Sequence, residues 1–131
     1  SSFVAQFIGE NNQLKGKVKS INGENCIITT ESGDDIQALK INVNSNGDSS
    51  LVSLRPERVA INSSENFENN FEAKVKELIY LGDHIRSRVE VCGNDQFIVK
   101  IPNSYMGANL KEGATVKLSW KASDSRALDL N

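Results

Sequence analysis

The stretch SLRPERVAI, residues 53–61, places three charged residues and a proline between two short apolar runs. Pro56 cannot donate a backbone hydrogen bond, so it ends the preceding strand or lies at a sheet edge. Because proline is favoured at the first position of a helical turn, Pro56, Glu57 and Arg58 are predicted to form one short turn. The stretch therefore predicts a strand, a charged corner and a second strand. On physical grounds alone, a solvated corner explains the charges as well as a functional one does.

Short strand-like segments lie on both sides of this corner, separated by turn residues. LKGKVKSI and NCIITTE flank Asn22 and Gly23, a two-residue hairpin signal because both residues tolerate positive φ. IRSRVEV alternates apolar with charged residues, which is typical of a half-buried strand. Trp120 lies on the apolar face of TVKLSW, which predicts a core position rather than a ligand-stacking one.

The two halves of the chain resemble each other. GKVKSI at 16–21 matches AKVKEL at 73–78, and each half continues as a three-stranded meander, a loop and a returning strand. Because bare edge strands favour aggregation, a closed or nearly closed barrel is the economical arrangement. We predict an all-β fold, an OB-like small barrel from two similar β-meander halves, with a short N-terminal helix.

Domain boundaries follow from the same pattern. FVAQFIGE has helical spacing and ends at a glycine, but it is too short to be stable alone. Residues 1–10 are therefore interpreted as the tail helix of a preceding domain, and residues 11–131 as the barrel domain. Its halves span about 11–62 and 71–131, and the polar segment NSSENFENN joins them.

Composition limits the classes of function. The 131 residues carry a formal net charge of −2, with basic and acidic residues interspersed and only 6% aromatic residues. A nucleic-acid binder usually has a basic excess on one face and aromatic stacking platforms, so no nucleic-acid partner is predicted. Two cysteines make no disulfide framework, which favours reduced thiols and a cytoplasmic location.

Candidate sites for chemistry are weak. The segment 42–47 has the alternating polar residues of a calcium loop, but they are uncharged and Ser53 stands where the bidentate glutamate belongs. His84 is the only histidine, and Asp34 and Asp35 point to opposite faces of an extended segment. Neither a nucleophile motif nor a phosphate-binding loop is present. We therefore predict no catalytic, cofactor-binding or metal-binding residues.

Four segments follow one another in a distinctive order: FVAQFIGENNQL, SLRPERVAI, YLGDHIRSRVEV, and a terminal VKLSW with ALDL. Together they resemble the C-terminal region of ABC-transporter ATPases of the polyamine (spermidine/putrescine) importer type, which is similar to the maltose and ferric-iron importer subunits. This region is the TOBE, or transport-associated OB, domain, and the resemblance covers the whole chain.

The matching positions are those of the family's short motifs. They are the helix that ends the nucleotide-binding domain (Phe3, Val4, Ala5, Phe7, Ile8, Gly9), the asparagine just after it (Asn12), the RPE corner (Arg55, Pro56, Glu57, with Arg58 beside it), the Y-x-G glycine (Gly82) and the late tryptophan (Trp120). The resemblance marks these residues as candidates for structure or interface.

The resemblance implies an accessory, regulatory and dimer-contact domain. Its expected partners are its own nucleotide-binding domain, a second copy of the subunit, and the membrane permease through the ATPase, at the cytoplasmic face of the membrane. ATP and Mg are expected in the upstream domain, and this fragment, which lacks the Walker A and signature motifs, is expected not to be an enzyme.

Two other functions stay open. OB-like relatives bind oxyanions such as molybdate between paired domains, so the tandem halves allow a small-ligand module for an oxyanion or a polyamine. Oligonucleotide binding rests on fold analogy alone.

Overall fold

The computed structural model describes residues 10–103 and 110–130. The strands are β1 (Asn12–Asn22), β2 (Asn25–Thr30), β3 (Asp35–Lys40), β4 (Ser49–Leu54), β5 (Ala60–Ile61), β6 (Asn69–Tyr80), β7 (His84–Val91), β8 (Asn94–Pro102), β9 (Thr115–Trp120) and β10 (Ser125–Asp129). Two short 3₁₀ turns, Pro56–Arg58 and Ala122–Asp124, follow β4 and β9. The predicted N-terminal helix lies outside the described residues, as does part of the connection after β8.

The strands form two sheets. The first is a closed barrel in the order β1-β2-β3-β10-β4, in which β4 also pairs with β1. The second is a five-stranded sheet in the order β5-β9-β6-β7-β8. The all-β class and the OB-like barrel expected from sequence are confirmed.

The halves exchange strands. β10 comes from the C-terminal half but pairs with β3 and β4 in the barrel. β5 comes from the N-terminal half but pairs with β9 in the second sheet. Each half therefore supplies the last strand of the other's sheet, and the two 3₁₀ turns are the points at which the chain crosses over.

One continuous core joins the sheets. It includes Val18 and Ile28 from the barrel and Val89, Phe97 and Trp120 from the second sheet, all nearly or fully buried. Trp120 is fully buried, with its ring 5.3 Å from Phe71 and 5.9 Å from Phe97 between centroids. The predicted core position of Trp120 is confirmed.

Gly16 shows why β1 needs a glycine. A Cβ atom there would lie 2.3 Å from the Thr29 carbonyl oxygen, closer than any real side chain approaches. The strand is irregular just beyond this point, where the register with β2 shifts between Val18 and Ser20. The close approach of β1 and β2 thus makes any larger residue at this position destabilising.

Candidate functional site

The RPE segment forms a corner with a close counterpart in the other half. We call Arg55–Arg58 the first corner and Lys121–Asp124 the second corner. Arg55 has φ −74° and ψ 137°, and Lys121 has φ −76° and ψ 144°. Each residue accepts a hydrogen bond from the amide three residues later, at 3.1 and 3.0 Å respectively. The predicted turn is confirmed, and the repeat extends to the crossovers.

The first corner buries its proline and exposes its charges. Pro56 opens the 3₁₀ turn and is buried, whereas Arg55, Glu57 and Arg58 are exposed. Glu57 in the first turn and Arg58 in the last suit the polarity of the turn's backbone dipoles. Because strands flank the turn on both sides, its backbone presents these charged residues on the surface of the domain.

Trp120 holds the second corner. Its Nε1 donates a 2.6 Å hydrogen bond to the Oγ atom of Ser125, at the opposite end of the turn. Ser125 in turn lies opposite Leu54, the last residue of β4 before the first corner. The two corners therefore lie at the same end of the β4–β10 pair, and Trp120 supports this end from inside the core.

Two buried asparagines join the halves. The side-chain amide of Asn12 donates a hydrogen bond to the Ile98 carbonyl in β8 and accepts one from the Ile98 N–H, both at 2.7 Å. The Asn69 amide bonds the backbone of Gln37 in β3 in the same way, both at 2.9 Å. Each asparagine is the first residue of the first strand in its half. Its side-chain amide pairs with the backbone N–H and C=O of one residue in a strand of the other half.

The second asparagine, Asn69, was not predicted from the sequence. Asn12 was singled out by its match to the family, but Asn69 was not. Extending the match of GKVKSI with AKVKEL backwards by four residues aligns Asn12 with Asn69. The internal repeat therefore contained the signal.

The other candidates lie apart from the corners. Gly82 lies in the turn between β6 and β7, where a Cβ would meet no atom within 4 Å, and its carbonyl accepts a hydrogen bond from the Asn103 side chain. Next to it, Ile79, Tyr80 and Leu81 are the exposed large apolar residues of the described chain, and Tyr80 is 70% exposed. We call Ile79–Leu81 the apolar tip. Phe3, Phe7 and Gly9 lie outside the described residues.

Within residues 10–103 and 110–130, the groups with shifted pKa values are two cysteine thiols and two aspartate carboxyls. Burial raises the pKa of the Cys26 thiol, and burial together with nearby Asp34 raises the pKa of Cys92 to about 12. Thiols with such pKa values are poor nucleophiles at neutral pH. Hydrogen bonds from Lys19 and Thr29 lower the pKa of Asp35, as in an ordinary surface ion pair. Within residues 10–103 and 110–130, no three His, Cys, Asp or Glu side chains gather in a metal-binding arrangement.

The fold and the corners define a tandem OB-like module in which two halves exchange strands. The sequence profile of the TOBE domain family matches residues 52–128, from β4 through the first corner to β10. The chain belongs to the TOBE domain family, which confirms the resemblance seen in the sequence. The match is to this domain and not to an ATPase domain.

Several similar proteins are named spermidine/putrescine import ATP-binding protein PotA. The Trichodesmium erythraeum protein is 34% identical over 112 residues, which cover 79% of this chain and 29% of that protein. The Pseudomonas aeruginosa protein is 32% identical over 126 residues, which cover 92% and 35% respectively. The chain spans about a third of the length of these relatives.

A solved structure shares the fold. A crystal structure of the cytoplasmic molybdate-binding protein ModG with molybdate bound superposes with a TM-score of 0.75. The alignment covers 88% of this chain and 94% of that one, at 17% sequence identity. At this identity the similarity is one of fold.

Proposed function

We propose that this chain is the C-terminal accessory and regulatory domain of the ATP-binding subunit of an ABC importer for polyamines such as spermidine and putrescine. The observation that carries the proposal is the TOBE profile match over 52–128, together with relatives that are named as spermidine/putrescine import ATP-binding proteins. ATP and Mg binding belong to an upstream domain in this proposal, and the subunit acts at the cytoplasmic face of the membrane. Among the described residues, no helix is both long and apolar enough to cross a bilayer.

The coding sequence provides the first test. Sequencing the gene upstream of Ser1 is expected to find an ATPase domain with a phosphate-binding loop and an ABC signature motif. An upstream region of unrelated sequence would overturn the proposal. This test does not depend on how the isolated domain behaves.

In this proposal the domain contacts its own nucleotide-binding domain and a second copy of the subunit, and reaches the permease through the ATPase. Two surfaces support such contacts. The apolar tip exposes Ile79, Tyr80 and Leu81 on one hairpin, and apolar residues grouped in this way are common at protein interfaces. The first corner presents Arg55 and Glu57 on a fixed turn.

Substitutions in the complete subunit test these surfaces. Tyr80→Ser is expected to weaken assembly with the second copy or the permease, measured by sedimentation and by co-purification. Glu72→Ser, an exposed position on the same strand, is the matched control and is expected to change nothing. If Arg55→Ala and Glu57→Ala leave both stability and assembly unchanged, the corner is an ordinary solvated turn.

A small-ligand module is the second candidate, favoured by the fold shared with molybdate-bound ModG. A cleft of about 540 Å³ lies where the β2–β3 and β7–β8 turns of the two halves meet. Its charged lining residues are Lys15, Glu31 and Asp95, a balance that favours a cationic amine over an oxyanion. Titration calorimetry with spermidine, molybdate and sulfate distinguishes an amine site from an oxyanion site. If none of the three gives heat of binding, the small-ligand function is excluded.

A further inference from the structure

Two asparagines in the sequence are followed by glycine, Asn22 before Gly23 and Asn46 before Gly47. In this dipeptide the backbone nitrogen of the glycine can attack the side-chain carbonyl carbon of the asparagine, because glycine has no Cβ atom to hinder the approach. Both asparagines are exposed, and neither side chain makes a hydrogen bond to another described residue. The two steps therefore differ mainly in how the fold holds the glycine amide and the backbone around it.

The loop that contains Asn46 is held against β1. The Gly47 amide donates a 2.7 Å hydrogen bond to the Val18 carbonyl, and the Val18 amide donates a 2.9 Å bond to the Asp48 carbonyl. The Asp48 carboxylate also accepts hydrogen bonds from two backbone amides of the loop, at 3.2 and 2.9 Å. Attack at Asn46 would have to break the Gly47 bond and turn this bonded backbone, so the fold protects this step.

The end of the β1–β2 hairpin leaves the other step free. Asn22 and Asn25 form the last pair of the ladder, and Gly23 lies in the turn beyond them with a φ of 64°. The Gly23 amide makes no hydrogen bond within the part of the chain that the structure describes. The end of a hairpin opens at a small cost in free energy, because few contacts are lost there. The backbone at Asn22 can therefore turn so that its side chain meets the Gly23 nitrogen.

We propose that Asn22 is a site of spontaneous covalent modification in the folded domain and that Asn46 is protected from the same reaction. The Gly23 nitrogen loses its proton and attacks the Asn22 Cγ atom, so that a C–N bond forms. The side-chain nitrogen leaves as ammonia with the proton that Gly23 lost. Water then opens the resulting succinimide ring at one of its two carbonyl carbons, which leaves either aspartate or isoaspartate. Water is the only co-reactant, and nothing is oxidised or reduced.

The modification changes both the charge and the backbone at this end of the barrel. It converts a neutral amide into a carboxylate in a cleft of about 570 Å³, whose charged lining residues are Glu68 and Lys121. Isoaspartate also adds a carbon atom to the main chain, which disrupts the pairing of Asn22 with Asn25. Aged protein is therefore expected to be a mixture of forms that differ at Asn22.

Storage of the folded chain at mildly alkaline pH, followed by digestion at low pH and mass spectrometry, tests the proposal. The conversion replaces an NH₂ group by OH, and chromatography separates isoaspartate from aspartate. We expect modification at Asn22 to be at least about tenfold faster than at Asn46 in the folded protein, and the two rates to agree within about threefold in guanidinium chloride. If Asn46 reacts as fast as Asn22 in the folded protein, or if Asn22 reacts only in the unfolded chain, the proposal is wrong.

The variant Asp48→Ala tests the cause of the difference. Removal of the carboxylate frees the loop from two of its hydrogen bonds, so Asn46 is expected to react at least about threefold faster while Asn22 keeps its rate. Asp95→Ala, at an exposed aspartate of β8 in the second sheet, is the matched control and is expected to change neither rate. If circular dichroism shows that Asp48→Ala keeps the fold and the Asn46 rate is unchanged, hydrogen bonding of the loop does not protect Asn46 and the proposal is overturned.

Discussion

Replacing Asn69 with alanine should weaken the junction between the two halves. The Asn69 side chain is only 1% exposed, and its amide makes two 2.9 Å hydrogen bonds to the backbone of Gln37. The Asn69→Ala variant leaves that backbone donor and acceptor without partners at the edge of β3. Each of the two hydrogen bonds contributes about 0.5–1.5 kcal/mol, so we expect a loss of about 1–3 kcal/mol. That is a large share of the roughly 5–15 kcal/mol by which a domain of this kind is stable.

Urea unfolding followed by tryptophan fluorescence measures this loss, since Trp120 is buried in the shared core. Gln37→Ala is the matched control and should stay within about 0.5 kcal/mol of the parent protein, because the bonds use the Gln37 backbone. Asn69→Asp keeps the acceptor but loses the donor, so it should fall between the two. If Asn69→Ala proves as stable as Gln37→Ala, the asparagine is not a structural link and the argument fails.

Three further predictions concern single positions. Trp120→Phe loses the 2.6 Å bond to Ser125 and should reduce the free energy of unfolding by about 1–3 kcal/mol in urea titrations followed by circular dichroism, since the variant has no tryptophan. Equal stability would mean that the bond does not hold the corner. Gly16→Ala should reduce the free energy of unfolding by about 1–3 kcal/mol, because the new methyl group overpacks β1 against β2. Gly82→Ala, which has open space around it, should reduce it by less than about 0.5 kcal/mol, and a larger loss at Gly82 than at Gly16 would contradict the geometry. The pKa of the Cys92 thiol is raised to about 12 in the folded protein, so the thiol's contribution to stability is complete below its unfolded pKa of about 8.5 and is lost as the pH rises towards 12. Cys92→Ser should therefore reduce the dependence of the unfolding free energy on pH in this range, and an unchanged dependence would contradict the prediction.

Local chemistry made most of the strands predictable. The hairpin signal at Asn22 and Gly23 is confirmed: β1 ends at Asn22, β2 begins at Asn25, and Gly23 has a φ of 64°. Pro56 also ends β4 and opens a turn, as expected from its missing amide hydrogen. These features depend on a few neighbouring residues, and a single sequence contains them.

Features that depend on distant partners were harder to predict. Ser119 alternates with the apolar Leu118 and Trp120, a pattern typical of an outward-facing residue, yet it is fully buried and its Oγ bonds the Asn70 side chain at 2.7 Å. The exchange of β5 and β10 was not predicted, because a returning strand has the same pattern whichever sheet it joins. The candidate site shows the same contrast, since the RPE corner was visible in sequence but the pairing of Leu54, just before it, with Ser125 was not.

The exchange of strands has a consequence for how the chain could be divided. A cut in the segment 62–68, between β5 and β6, would give two pieces of comparable length. Neither piece could complete its own sheet, since each would hold the strand that the other lacks. The domain thus resembles a strand-swapped dimer whose two subunits are covalently joined in one chain. Two separately expressed pieces would be expected to regain the fold only by combining with each other.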